Sequence, residues 1–183
     1  MPVRPPSPGD LARMILATGF SCRSCGACCR QAGKDSNLVM AAPAELAAIV
    51  HAAGLSREAI AEPYPEFVDG PGGSQITFGW CLRRTGDACA FLEAGNRCRI
   101  YAVRPWICRT YPFMLADGDL VVSECPGVGG AISEADAHAL ADELLARARA
   151  EEAERRDTAV RYRCAAVPPG ARAVIDPDGV TLL

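Results

Sequence analysis

The chain has 183 residues, half of them apolar and 22% charged, and its formal net charge is −3. This balance suits one folded domain with a hydrophobic core and excludes a chain that is disordered throughout. No basic run suggests nucleic-acid binding, and no apolar stretch of 18 residues suggests a membrane span. The first ten residues lack the form of a signal peptide, so we expect a cytoplasmic protein.

The first half of the chain alternates helix signals with loop signals. Capping residues and prolines mark the helix starts, and glycines or further prolines mark the ends. These signals predict, in chain order, a helix that begins at Ser7 and ends at Gly19, a loop over 20–36, a short strand over 38–40, a helix over 43–53 and a short helix that begins at Ser56 and ends before Pro63.

The second half has fewer regular signals. It predicts a strand over 75–81, a mostly irregular stretch over 82–130 with a helical turn at 101–109 and a strand at 120–122, a long helix from Ser133 to about Arg156, and a hairpin of 173–175 with 180–182. We therefore expect an α+β fold: a small single domain over 1–183 with short strands, several helices and a large irregular metal-binding region held by cysteines. Its cysteine-cluster core covers about 20–126, and the C-terminal helix and hairpin cover 133–183.

Ten cysteines are the dominant feature of the composition. A reducing cytosol disfavours structural disulfides, so this number of thiols indicates metal binding. The cysteines are Cys22, Cys25, Cys28, Cys29, Cys81, Cys89, Cys98, Cys108, Cys125 and Cys164.

The strongest motif is Cys22-x-x-Cys25-x-x-Cys28-Cys29. A two-residue spacer lets two thiolates meet at one metal, and the C-x-x-C-x-x-C spacing also suits three corners of a [4Fe–4S] cluster with a remote fourth ligand. Cys28 and Cys29 are adjacent, so they either serve two different centres or leave one thiol free and reactive. The cysteines further along the chain favour the first interpretation.

Four later cysteines bring the count to eight, enough for two four-cysteine sites; they are Cys89, Cys98, Cys108 and Cys125. His51 and His138 lie in predicted helices among alanines, where we expect ordinary helix residues rather than ligands. Nearly all-thiolate ligation suits zinc or iron–sulfur rather than magnesium or calcium. Cys81 and Cys164 fit no pattern, and we expect buried thiols first and spare ligands second.

A metal with four thiolates carries negative charge, which cations beside the ligands would offset. Arg104 and Arg109 are the candidates for this role, with Arg109 directly after Cys108. Tyr101 and Tyr111 could donate hydrogen bonds to sulfur or simply pack against the ligands.

Two signatures in this order resemble one known family. Phe20-x-Cys22-x-x-Cys25-Gly26-x-Cys28-Cys29 resembles the opening motif of the YkgJ-type cysteine-cluster family, also called the CxxCxxCC or zinc- or iron-chelating domain. Its second signature is similar to Cys89-Ala-Phe91-Leu92 followed by Cys98-x-Ile100-Tyr101-x-x-Arg104-Pro105-x-x-Cys108-Arg109-x-Tyr111-Pro112-Phe113, and Cys125 stands where the family places its last cysteine.

The resemblance covers about residues 20–126 and implies a metal centre of zinc or iron. The domain also resembles one found in flagellin lysine methylases, which are associated with an iron–sulfur cluster, and this favours iron–sulfur without transferring any catalytic residue.

Three functions are compatible with these features. The first is a protein with one or two iron–sulfur clusters, most simply [4Fe–4S], in a redox or enzymatic role with a protein or small-molecule partner. The second is a structural zinc module that presents a surface to a partner. The third is metal sensing, trafficking or storage. The sequence leaves open whether the protein is an enzyme, and how the eight cysteines divide between centres.

Overall fold

The computed structural model describes residues 6–30 and 38–183. The predicted α+β class is confirmed. The helices in the described residues are α1 (Pro8–Thr18), α2 (Pro43–Ala53), α3 (Arg57–Ile60), α4 (Trp106–Thr110) and α5 (Glu134–Cys164). Residues 31–36 of the loop predicted over 20–36 lie outside the described residues.

Serine caps begin the two helices that form one side of the molecule. Ser7 Oγ accepts a hydrogen bond from the backbone N–H of Asp10 at 3.2 Å, and Ser133 Oγ accepts one from Asp136 at 3.0 Å. Such caps satisfy N–H groups that have no partner within the helix. Helix α2 ends at Gly54, whose φ of 65° is strained for residues other than glycine. The helix starts predicted from the sequence are therefore confirmed.

In the part of the chain that the structure describes, the strands are short and form five small sheets. They are β1 (Met40–Ala41), β2 (Ala61–Pro63), β3 (Val68–Asp69), β4 (Gln75–Thr77), β5 (Trp80–Leu82), β6 (Arg84–Thr85), β7 (Ala88–Cys89), β8 (Leu92–Glu93), β9 (Arg97–Cys98), β10 (Phe113–Ala116), β11 (Asp119–Val122), β12 (Arg172–Asp176) and β13 (Gly179–Leu182). The larger sheets have the orders β13-β12-β4-β3 and β1-β5-β2, and the hairpins are β6-β7, β8-β9 and β10-β11. Strand β12 pairs with β13 antiparallel, as the predicted hairpin requires, and with β4 in parallel.

The prediction of a single strand over 75–81 is wrong, because the structure has two strands there, β4 and β5. Gly79 has a φ of 123°, and the chain turns there. Strand β4 therefore joins the four-stranded sheet, whereas β5 becomes the central strand of the three-stranded one. The stretch 82–130, predicted as mostly irregular, contains three hairpins and α4.

The long helix was predicted to end near Arg156, but α5 continues to Cys164. The ring of Tyr162 meets that of Phe78 edge-on with centroids 5.3 Å apart, and Arg161 Nε donates to the carbonyl of Pro177 at 3.0 Å. These tertiary contacts extend the helix beyond the point that local sequence indicates.

Two apolar clusters form the core. The α1–α5 cluster consists of Leu11, Ala12, Ile15, Phe113, Ala137, Ala141, Leu144 and Leu145. The α2–sheet cluster consists of Ala41, Leu46, Ile49, Ile60, Ala61, Trp80, Leu82, Phe91, Ile100 and Val174, and the half-buried Cys89 and Cys98 pack against it. The cysteine region thus lies at the edge of a core rather than inside one. None of the described helices is both long and apolar enough to span a membrane.

Candidate metal centre

The start of the cysteine motif is paired with the segment that follows Cys125. Phe20 forms an antiparallel bridge with Val128, and the N–H of Ser21 donates to the carbonyl of Gly127 at 2.9 Å. A Cβ atom on Gly127 would lie 2.3 Å from Ser21 O, so only glycine permits this approach. The pairing therefore places the start of the motif beside the segment that carries Cys125. The Sγ atom of Cys125 accepts a hydrogen bond from Gly127 N at 3.4 Å.

The motif then turns at Gly26, which has a φ of 72°. A Cβ atom there would lie 2.9 Å from Oδ1 of Asn96, in the turn between β8 and β9. Arg30 donates to the same Oδ1 at 3.3 Å. These contacts hold the second half of the motif against the hairpin that carries Cys98.

A third backbone contact fixes the end of the motif. Arg30 forms an isolated antiparallel bridge with Ala88, the first residue of β7. Cys29 precedes this bridge directly and Cys89 follows it directly, so the bridge brings the two cysteines into the same neighbourhood. The charge of Cys89 accordingly contributes to the raised pKa of Cys29.

Cys108 is carried by α4, which is held from two sides. Glu45 of α2 accepts a hydrogen bond from the backbone N–H of Trp106 at 2.6 Å. Arg147 of α5, only 7% exposed, donates to Thr110 Oγ1 at 2.9 Å. Neither Glu45 nor Arg147 was identified from the sequence, because each lies far along the chain from the helix that it supports.

Five cysteines, which we call the central thiols, influence one another electrostatically: Cys28, Cys29, Cys89, Cys98 and Cys108. The Sγ atoms of Cys28 and Cys29 are 3.9 Å apart. Their hydrogen bond lowers the pKa of Cys28 to about 6 and raises the pKa of Cys29. Burial, followed by the charges of neighbouring thiols, raises the pKa of Cys108 to about 12. Cys28 is thus a thiolate at neutral pH, beside thiols that hold their protons.

The other three predicted ligands, which we call the outer thiols, are Cys22, Cys25 and Cys125. Tyr111 links them to the central thiols. Burial raises the pKa of Tyr111, and the charges of Cys125, Cys28 and Cys25 raise it further. Its hydroxyl donates to the carbonyl of Glu124 rather than to a sulfur. Tyr111 is therefore close enough to feel the charges of these thiols, while its hydroxyl is engaged by a backbone carbonyl.

The two arginines expected beside the centre have different surroundings. Arg104 lowers the pKa of Cys28, Cys98 and Cys108 after larger effects of burial or hydrogen bonding. Its guanidinium lies 3.6 Å from the ring centroid of Tyr101. Arg109 instead pairs with Glu143 of α5 and lies 4.3 Å from the ring centroid of Trp106. Arg104 thus faces the thiols, whereas Arg109 ties α4 to α5.

The remaining candidate donors lie elsewhere. His51 and His138 are exposed residues of α2 and α5, as predicted. Cys81 is 1% exposed in the central strand β5, and burial raises its pKa to about 11. Cys164, which we expected to be buried, is exposed at the end of α5, because the last part of this helix extends beyond the core.

The donor set suits a thiophilic metal. Thiolates bind zinc and iron–sulfur clusters in preference to hard cations. Within residues 6–30 and 38–183, no group of three or more His, Cys, Asp or Glu side chains is arranged to hold a metal ion. The fit to a thiophilic metal therefore rests on the chemistry of the donors and on the backbone contacts that bring their segments together.

Comparison with family models agrees with the two signatures. Residues 21–126, more than half of the chain, match the CxxCxxCC family, described as "Putative zinc- or iron-chelating domain". The chain belongs to this family. Metal binding by the cysteine cluster is thereby supported, with zinc and iron both within the family description. No curated protein and no solved structure matched the chain.

Proposed function

We propose that this CxxCxxCC protein carries one or two iron–sulfur clusters of the [4Fe–4S] type and uses them in a redox or enzymatic role. The observation that carries the proposal is the convergence of thiols from four separate places: the motif, the β6–β9 hairpins, α4 and the segment before Gly127. More than four thiols in one region exceed what a single mononuclear ion takes up. The C-x-x-C-x-x-C spacing with a remote cysteine suits a cubane cluster.

The local charge supports an anionic centre. Arg104 is fixed by its contact with Tyr101 and by a hydrogen bond from Nε to the Tyr101 carbonyl at 3.0 Å. From there it favours the charged form of three central thiols. A cation in this position offsets the negative charge of a thiolate-bound cluster and shifts its potential.

An open depression in the surface beside the motif leaves Cys22 accessible to a small molecule. It has a volume of about 320 Å³ and is lined by Phe20, Ser21, Cys22, Ala131, Ile132, Ser133, Asp136 and Leu140. Because Cys22 is in its wall, a compound in this depression would reach the edge of a centre that Cys22 ligates. An enzymatic role needs such an approach, which a purely structural metal does not.

The test is metal and acid-labile sulfide analysis of protein purified without oxygen, together with its visible spectrum. We expect iron with an equivalent amount of sulfide and a broad absorption band near 400 nm, roughly where thiolate-ligated clusters absorb. A colourless protein that stays colourless after anaerobic reconstitution with iron and sulfide would contradict the proposal.

Structural zinc is the second candidate, and the short elements of the cysteine region favour it. The strands of the β6-β7 and β8-β9 hairpins have two residues each, and hairpins of this size are marginal in water. A metal that closes this region would supply stability that the hairpins lack. About one or two zinc ions per chain without iron or sulfide, and unfolding of the cysteine region on chelation, would establish this function instead.

A further inference from the structure

We propose that the eight cysteines form two four-thiol centres and that the adjacent pair divides between them. The first centre takes Cys22, Cys25, Cys28 and Cys125, and the second takes Cys29, Cys89, Cys98 and Cys108. Each accepts a thiophilic metal ion or cluster. The inference rests on the proposed function in requiring that these thiols bind metal, and it adds which thiols act together.

The second centre follows from the backbone pairing at the end of the motif. The bridge between Arg30 and Ala88 lies directly between Cys29 and Cys89 and brings the two residues into the same neighbourhood. In β8 and β9, Leu92 pairs with Cys98, so the neighbouring hairpin contributes the next thiol. Helix α4, held by Glu45 and Arg147, contributes Cys108. All three partners of Cys29 thus come from the segment 84–110.

The first centre follows from the pairing at the start of the motif. The bridge between Phe20 and Val128 places Cys22 beside the segment that carries Cys125. The two-residue spacers of the motif let Cys22, Cys25 and Cys28 meet at one centre. With Cys125 they make a set of four that needs no thiol from 84–110, and the charges of Cys25, Cys28 and Cys125 all act on the phenol of Tyr111.

The local conformation of the motif explains how neighbours can separate. Ala27, Cys28 and Cys29 form one 3-10 turn directly after Gly26. Successive side chains of a 3-10 helix project about 120° apart, since it has three residues per turn. The two sulfurs remain 3.9 Å apart, so the two centres are neighbours rather than remote sites. Cys28 also influences the thiols of the second centre, as that closeness requires.

The matched pair Cys28→Ser and Cys29→Ser tests the division, with Cys164→Ser as the control at an exposed thiol outside both centres. Each reduced protein is titrated with Co²⁺ without oxygen, and bound cobalt and thiolate-to-cobalt absorption are measured. We expect two ions for the unmodified chain and for Cys164→Ser, and one ion with an undiminished four-thiolate spectrum for either single variant. Adding Cys125→Ser to Cys28→Ser should change nothing more, whereas adding it to Cys29→Ser should remove the last ion.

Three results would overturn the division: equal loss of both ions in the two single variants, one ion in the unmodified chain, or a second loss when Cys125→Ser joins Cys28→Ser. In each of these cases the chain still binds metal, and the proposed function survives. An unmodified chain that takes up neither cobalt nor iron would instead remove the proposed function itself.

A measurement on the unmodified chain tests the same division without relying on the folding of any variant. The cobalt-loaded protein is treated with increasing chelator, alkylated, and mapped by mass spectrometry. The cysteines should become reactive in two blocks with the memberships given above. Simultaneous reaction of all eight, or blocks that place Cys28 with Cys89, would contradict the division.

Discussion

The α1–α5 side of the molecule and the cysteine region reach order by different means. Leu11 and Ile15 of α1 are completely buried, and Leu144 of α5 is 1% exposed. The hairpins β6-β7 and β8-β9 have strands of two residues, and Phe91 and Ile100 are the buried apolar residues between and beside them. Two-stranded hairpins of this size are marginal in water. The comparison shows that apolar packing orders the first region, and we expect the order of the second to depend on what its thiols bind.

Metal removal should reveal the difference between the two regions most strongly. In the reduced protein without metal, we expect amide hydrogen exchange over residues 84–125 to accelerate by orders of magnitude, while α1 and the first half of α5 stay protected. Thiolate–metal binding contributes free energy on the order of 10 kcal/mol in small zinc domains, far more than a short hairpin supplies itself. Re-adding the metal should restore protection. Uniform acceleration in both regions would show that they unfold as one unit.

Arg147→Met should weaken the junction between the two regions. Arg147 is buried and donates to Thr110 in α4, next to the Cys108 segment. Loss of this charged hydrogen bond should lower the free energy of unfolding by about 2–3 kcal/mol and speed metal release. Urea unfolding and metal-loss kinetics measure both effects. Arg155→Met is the control, because Arg155 is exposed on the same helix and pairs only with the nearby Glu152 among the described residues; equal effects of the two changes would contradict the role of Arg147.

Gly26→Ala and Gly54→Ala separate backbone strain from a contact at the cysteine motif. Both glycines have φ near 70°, so alanine costs each about 1–2 kcal/mol. A Cβ atom meets Asn96 Oδ1 at 2.9 Å at position 26 and nothing within 4 Å at position 54. We expect Gly26→Ala to lose more stability than Gly54→Ala, because its methyl group must also displace Asn96, and only Gly26→Ala to bind metal more weakly. Isothermal titration measures this difference, and equal metal affinity in the two variants would contradict it.

Glu154→Gln should give the smallest change in the free energy of unfolding, and this change comes from α5 rather than from the thiols. Burial raises the pKa of Glu154 to about 7, and the charges of Glu45, Glu151 and Asp176 add to this shift. Its ionised form therefore opposes folding above pH 7, whereas the protonated form near pH 4 does not. With screening by solvent taken into account, we expect Glu154→Gln to raise the free energy of unfolding by about 1 kcal/mol at pH 8 and to leave it unchanged at pH 4.

The control for this pH dependence is Glu152→Gln, on the exposed side of the same helix beside Arg155. It should give no gain in stability at either pH. Denaturant unfolding at both pH values measures the difference, and a gain at pH 4 as large as that at pH 8 would exclude titration of Glu154 as its origin.

Local signals were enough to predict much of the fold. Ser7 and Ser133 cap helices because their hydroxyls meet the free N–H groups, and Gly54 ends one because of its positive φ. The end of α5 and the break at Gly79 were missed. The first depends on contacts such as that of Tyr162 with Phe78, and the second on which sheet each half of the strand joins. Both are tertiary facts that a sequence pattern does not contain.

The candidate site was likewise predictable only where it depends on local sequence. The eight cysteines were predicted from two motifs, and their roles as ligands remain a prediction. Their grouping could not be inferred, because it depends on the long-range bridges of Phe20 with Val128 and of Arg30 with Ala88. Glu45 and Arg147 gave no signal beyond ordinary helix residues. The glycines at the junction of the motif with the segment after Cys125 were a visible hint of a close backbone approach, which Gly19, Gly127 and Gly130 all make.

The parallel pairing of β12 with β4 also sets an order of events during synthesis. Residues 172–174 pair with residues 75–77, and α1 buries its apolar face against α5, so neither core is complete until the last part of the chain has been made. All eight cysteines of the motifs leave the ribosome before that point. The thiols are therefore outside the ribosome before either core can close, and in that interval a metal ion or cluster meets the least obstruction, as does an oxidant.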